Sequence, residues 1–238
     1  GATVAVDGGG ALLGTDTGSP YSQRWAAPAA GSRQLFAVAL DSDGYIATSA
    51  VITVTASPSV GFEAYNDCSS SASTPANTTQ WRTDSTNTGL LKDFASGGTL
   101  PVTLALAAAN VSYNVSGGFS AAGTDCYAVF NGKVTFDDSI AYQTGVGAWW
   151  MTATFTGLDP AKEYEFVTSG NRNTSTYTGR FTKFTISGVD ACLQASTPGV
   201  DVVSNETVRF CTGYNTVNGY VARWKRIRSG ADGTFVVR

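Results

Sequence analysis

Runs of Val, Thr, Tyr and Phe that alternate with polar residues, closed by Gly or by Asn-Gly and Asp-Gly pairs, recur along the whole chain. Alternation with period two is what a half-buried strand requires, and turn residues at such short intervals leave no room for long helices. The pattern predicts an all-β protein built as sandwiches or barrels. Only the stretch 100–111, LPVTLALAAANV, is dense enough in apolar residues to read as a helix, and its Val-Thr-Leu start and Asn110 suit a strand better. Near the start, SRQLFAVALDSDG and YIATSAVITVTAS read as strands joined in a hairpin at Asp41-Ser42-Asp43-Gly44. A short polar stretch at Ala56-Ser57-Pro58-Ser59 then predicts a first domain over 1–56, a linker over 57–59 and a second domain over 60–238. With 238 residues, one or two domains can each bury a core.

The chain has no His, which removes Ser-His-Asp and Cys-His nucleophile systems and His-ligated zinc. Charged residues make up 14%, so uncharged Ser, Thr, Asn and Gly must supply the polarity, and a disordered solvating tail is excluded. Net charge is −3, with −7 over residues 1–159 (five Lys/Arg, twelve Asp/Glu) and +4 over 160–238 (ten against six). That split suggests end-to-end complementarity and not nucleic-acid binding, which calls for a basic excess over a whole domain. The one dense basic run, Arg223, Lys225, Arg226 and Arg228, reads as a charged edge strand that resists unwanted pairing. No stretch approaches the apolar length of a membrane helix, so no membrane insertion is expected. Gly1 at the start predicts a mature or trimmed piece of a longer chain.

Cys68, Cys126, Cys192 and Cys211 have no metal-ligand spacing. In a chain poor in Lys and rich in Thr, Ser and Gly they read as disulfides of a secreted protein. Three connectivities are open, and Cys68–Cys126 with Cys192–Cys211 is favoured because the second pair closes the shorter loop. No cofactor is expected. Calcium is the only plausible metal, and its candidate turns, Asp41-Ser42-Asp43-Gly44 and Asp137-Asp138, read as an Asx turn and a solvated loop.

Residues 1–56 carry a resemblance in Val6-Asp7-Gly8, Leu13-Gly14-Thr15-Asp16-Thr17, Pro20-Tyr21-Ser22, Trp25, Ala30-Gly31-Ser32, Ala37–Gly44 and Ile52-Thr53-Val54. The segment resembles the bacterial immunoglobulin-like repeats of large secreted proteins, but lacks about two strands at its start. Residues 60–238 are similar to a β-sandwich module repeated in large extracellular proteins of environmental bacteria. The similarity rests on segments such as Gly61–Asp67, Ala128–Val134, Thr154–Pro160, Thr182–Ile186 and Gly213–Arg223. That module is like carbohydrate-binding jelly rolls in outline, which implies a fold more than a function. The expected fold class is therefore an incomplete immunoglobulin-like sandwich followed by a larger jelly-roll-like sandwich.

No pair of carboxylates sits in a catalytic motif, and Glu163 and Glu165 alternate with Tyr164 and Phe166, which points both acids to solvent. The chain is expected to be non-catalytic. Sugar binding would use aromatic platforms flanked by amides and Arg. Alternation in Ala148–Phe155 puts Trp149, Met151, Ala153 and Phe155 on one face and Trp150 on the polar face with Thr152 and Thr154. Trp150, Trp81, Tyr177 and Tyr214 are the candidate platforms, with Asn171 and Arg172 beside them. Sequons occur at Asn77, Asn110, Asn114, Asn173 and Asn205. The leading reading is an extracellular or cell-surface structural or adhesive protein, a filament or sheath subunit whose open sheet edge pairs with another copy. The alternative is a carbohydrate-binding module of a secreted glycan-degrading protein, with polysaccharide as partner.

Overall fold

A computed structural model describes residues 3–8, 12–18, 21, 31–56, 61–68, 75–136, 138–142 and 147–238. Pro20, Ser22, Trp25, Ala30, the linker 57–59 and Asp137, all used above, lie outside the described residues. Among the described residues the chain is all-β apart from one short helix, and it divides into two compact units, Gly1–Gly61 and Phe62–Arg238.

The first unit holds β1 (Thr3–Gly8), β2 (Leu12–Asp16), β3 (Gly31–Leu40), β4 (Ile46–Thr48) and β5 (Ile52–Ala56). They form one antiparallel sheet in the order β2-β1-β3-β4, and β5 pairs with β3 as well. The turn between β3 and β4 is the expected hairpin: Asp41 Oδ1 accepts from the Asp43 and Tyr45 backbone N–H groups, and Gly44 takes φ +86°. The run after it is two strands and not one. Ser49 interrupts it, its Oγ accepting from the Ala37 N–H in place of a carbonyl, so β4 pairs with Val38–Leu40 and β5 with Gly31–Leu35. Among the described residues the unit is a single sheet, and no side chain of β2, β3 or β4, nor of Ile52–Val54 in β5, is buried.

The second unit holds β6 (Thr88–Lys92), β7 (Thr99–Ala109), β8 (Val111–Ser116), α1 (Asp125–Phe130), β9 (Asp138–Tyr142), β10 (Trp150–Thr156), β11 (Tyr164–Thr168) and β12 (Phe181–Ser187). There follow β13 (Val189–Gln194), β14 (Asp201–Ser204), β15 (Thr207–Cys211), β16 (Ala222–Ser229) and β17 (Phe235–Val237). A seven-stranded sheet runs β14-β15-β12-β17-β10-β7-β6, a three-stranded sheet runs β11-β16-β13, and β8 pairs with β9. The inward residues of the first sheet, among them Leu104, Ile186, Phe210 and Phe235, share one core with Trp224 and Ile227 of the second. The outline is that of a β-sandwich with unequal layers.

The ambiguous 100–111 stretch is strand β7 for nearly all its length, with Val102, Leu104 and Leu106 buried and the residues between them facing out. The basic run differs from its reading as an edge. β16 is the middle strand of its sheet, and Arg223 and Lys225 meet Glu165 at 3.3 and 3.8 Å while Arg228 meets Glu163 at 3.6 Å. Three of the four cations are thus held at the centre by Glu165 on β11 and Glu163 just before it, as cross-strand pairing favours. Helix α1 had no periodic signal, being too short to show one; Thr124 caps it, its Oγ1 accepting from the Tyr127 N–H at 3.4 Å, and Asp125 occupies its first turn. Three of the sequon residues, Asn77, Asn110 and Asn173, sit at φ +71°, +57° and +56°. Asn is suited to those left-handed positions whatever its glycosylation.

Candidate functional site

Two regions could carry function: the sheet of the first unit with its exposed apolar strands, and the loops and solvent face of the second. In the first unit apolar side chains stand in solvent on the strands themselves, Ile46 at 69% and Ile52 at 58% exposure, with Leu12 and Leu40 also exposed. Neither the outer side of β2 nor that of β4 and β5 is paired with another described strand. The register alternates Leu35, Ala37 and Ala39 with Phe36, Val38 and Leu40, so both faces of β3 are apolar. A sheet apolar on both faces is built to be covered on both.

The sequence candidates for sugar contact separate into three places. Asn171 is buried and makes structural bonds: Nδ2 donates to the Gly118 carbonyl and Thr216 Oγ1, and Oδ1 accepts from the Asn173 and Asn215 N–H groups. Arg172 and Tyr177 lie on the same loop, which the Arg172 N–H ties to the Thr212 carbonyl, next to Tyr214. Asn215, fully buried, is the hub of that region, and Gly219 reaches it through a tight turn at φ +54° where a Cβ would lie 2.2 Å from Thr124. Trp81 packs, partly buried, against the core, and Gly89 leaves the room its ring occupies, since a Cβ there would meet the indole at 2.8 Å. Trp150 stands apart from the others, on the side of β10 shared with Thr152 and Thr154, and the Arg238 guanidinium lies 5.5 Å from its ring. Arg180 covers Tyr177 more closely, at 3.3 Å. The Arg238–Trp150 contact left no signal in the sequence, because its two residues are far apart in the chain, whereas Arg180 and Tyr177 lie three residues apart in one loop.

Glu63, Tyr65 and Lys133 form a cluster of ionisable groups that sequence reading missed. Tyr65 donates to Glu63 Oε1, Lys133 donates to the same oxygen at 2.9 Å, and the ammonium lies 4.7 Å from the Tyr65 ring centre. The hydrogen bond from Tyr65 holds the Glu63 carboxyl below its ordinary range, with Lys133 adding to it against partial burial. Burial, and then Glu63, push Tyr65 up. Burial acts to lower Lys133, but its bonds to Tyr65 and Glu63 outweigh that and raise it. Each group is driven further into its resting form at neutral pH, the opposite of what a proton-transferring site needs. The cluster acts as a clamp between the start of the unit and the segment after α1. Among the described residues no three Cys, Asp or Glu side chains gather to hold a metal; the Asp41 turn is the Asx turn given above.

The expected disulfides are corrected by the structure: Cys68, Cys126, Cys192 and Cys211 are all free. Each has its own neighbours. Cys68 Sγ accepts from Asn66 and Cys192 Sγ from Asn205, Cys211 Sγ donates to the Tyr177 carbonyl, and Cys126 is buried in α1. The favoured pairing failed because loop length says nothing of which strands adjoin: Cys192 is on β13 of one sheet and Cys211 on β15 of the other. Burial, helped by Asp67, pushes the Cys68 thiol up to about 12, well above an ordinary thiol. At pH 8 its thiolate is then about a thousandfold scarcer than an ordinary thiol's. Iodoacetamide should therefore label Cys68 at least a hundredfold more slowly than a model thiol in the native chain, and should label all four cysteines after unfolding without reductant. Fewer than four labels in the unfolded chain would show that bridges form.

Compared with protein-family models, curated proteins and solved structures, the chain matches none with significance.

Proposed function

We propose that the chain is a non-catalytic structural or adhesive protein of the cell exterior that joins copies of itself through β-pairing on the first unit. One observation supports this above all: the first unit is a single sheet with exposed Ile46 and Ile52, no other described strand on its outer edges, and no buried side chain on β2, β3 or β4. Unpaired strand N–H and C=O groups template further strands, and apolar side chains on both faces reward any layer that covers them. A contact in which one surface of a copy meets a different surface of the next runs on into a filament unless the rotation closes a ring. The uneven charge of the two halves of the chain favours that polarity at short range. The composition, poor in charge and rich in Ser, Thr and Gly, supports an external setting; the free cysteines do not.

Sedimentation velocity on the full chain from 1 to 100 µM, with negative-stain imaging, tests the reading. The native chain should associate in a concentration-dependent way, and I46K/I52K, which puts charge on β4 and β5 and leaves the second unit untouched, should weaken association at least tenfold. A native chain that stays monomeric at 100 µM, or a variant that associates as the native chain does, would overturn it.

A further inference from the structure

The outward side of the seven-stranded sheet carries an arrangement that the assembly of the first unit does not use. Lys183 on β12 stands directly opposite Arg209 on β15, two like charges in one cross-strand pair, both exposed. Such a pair is unfavourable by itself. Arg209 is compensated by Asp201 on β14, its Nε donating to Oδ2 at 3.0 Å, while Lys183 makes no ion pair among the described residues. Arg238 exchanges backbone hydrogen bonds with Thr185 at 2.7 and 2.8 Å, which fixes it on the next strand over. The register of β10 and β12 on either side of β17 puts Trp150 level with Lys183.

Aromatic rings alternate with these cations. Arg238 lies 5.5 Å from the Trp150 ring, Arg209 lies 5.5 Å from the Phe181 ring, and Phe181 is 53% exposed. Arg180, the residue before β12, lies 3.3 Å from the Tyr177 ring. Lys183, Arg209 and Arg238 thus share this face with Trp150 and Phe181, with Arg180 and Tyr177 in the loop at its end, and among the described residues Asp201 is the one carboxylate in ion-pair contact with any of these cations. From the strand spacing and rise, Trp150 and Phe181 are about 12 Å apart along the backbone surface.

We propose that this face binds an acidic polysaccharide, a chain of uronate residues. Each uronate presents an apolar ring face that stacks on an aromatic side chain and a carboxylate that a guanidinium or ammonium beside that ring receives. The repeated ring-and-cation unit on the protein matches that repeat. A neutral glycan would use the rings and leave Lys183 and Arg238 without a counter-charge. The inference concerns the second unit and stands independently of the assembly reading.

Biolayer interferometry of the full chain on immobilised polygalacturonate tests it, with dextran and single-stranded oligo-dT as the other surfaces. The native chain should bind polygalacturonate in preference to both, and its affinity should fall at least tenfold between 50 and 300 mM NaCl. K183E/R238E should lose at least tenfold and W150A at least fivefold, with unchanged far-UV circular dichroism, while K162E, away from the sheet face, should bind as the native chain does. Should K183E/R238E misfold, K183Q and the salt dependence carry the same test. No binding by the native chain, equal binding to dextran, preference for oligo-dT, or affinity unmoved by the charge variants and by salt would each overturn the proposal.

Discussion

Trp224→Ala is expected to destabilise the second unit by about 3–5 kcal/mol, the cost of emptying a large aromatic site in a packed core. Trp224 is fully buried in the middle strand of the three-stranded sheet, stacked on Phe166 and paired across the strands with Phe166 and Gln194. It has a second function in the core, because Nε1 donates to the Asn205 carbonyl at 2.9 Å and so fixes the turn between β14 and β15. The alanine variant leaves both a cavity and an acceptor without its donor. Trp224→Phe keeps a six-membered ring and loses that bond and a smaller volume, so it should cost less, about 1–3 kcal/mol. Urea unfolding followed by far-UV circular dichroism measures both, and a loss below 1 kcal/mol for the alanine variant would show that the two sheets do not depend on this side chain.

A similarly large effect is expected from a change of one atom type at Asn215. Its Nδ2 donates to the Tyr220 carbonyl at 2.9 Å and to the Gly170 carbonyl and Ser169 Oγ at 3.3 Å, while Oδ1 accepts from the Tyr220 N–H at 2.8 Å. Asn215→Asp keeps the shape but turns an oxygen toward two carbonyl oxygens in a fully buried place. The loss at pH 7 should be about 3 kcal/mol or more. Burial against acceptors raises the pKa of the new carboxyl in the folded state above its unfolded value near 3.9. The penalty is thus absent below the unfolded pKa and grows as pH rises toward the folded one. Relative to the native chain, the variant should be less impaired at pH 4 than at pH 7, while Asn215→Ala, with no titrating group, should be impaired alike at both. A pH-independent deficit in the aspartate variant would mean that water reaches the site.

What could be read from the sequence lay wherever one strand's own periodicity sufficed. The outward placement of Glu163 and Glu165, the inward Tyr164 and Phe166, and the split of Trp150, Thr152 and Thr154 from Ala153 and Phe155 needed no partner strand to be seen. Among the site candidates the same rule reaches Trp150, which lies on β10, but not Trp81, which lies outside any strand and is placed by what packs on it. Asn171 was singled out for the right chemistry, a capacity for several directional bonds, but those bonds tie three loops to one another instead of facing solvent.

The sequence by itself thus determined the all-β class, the hairpin at Asp41–Gly44 and the faces of the strands, because alternation and turn chemistry are properties of a few consecutive residues. Only the tertiary structure decided that β16 lies in the middle of its sheet, that the four cysteines stay apart, and that Lys183, Arg209, Arg238 and Trp150 meet on one surface. Those outcomes depend on which strands adjoin. Backbone hydrogen bonding is blind to side-chain identity, so strand order follows from the burial of whole faces and leaves no mark in any single segment.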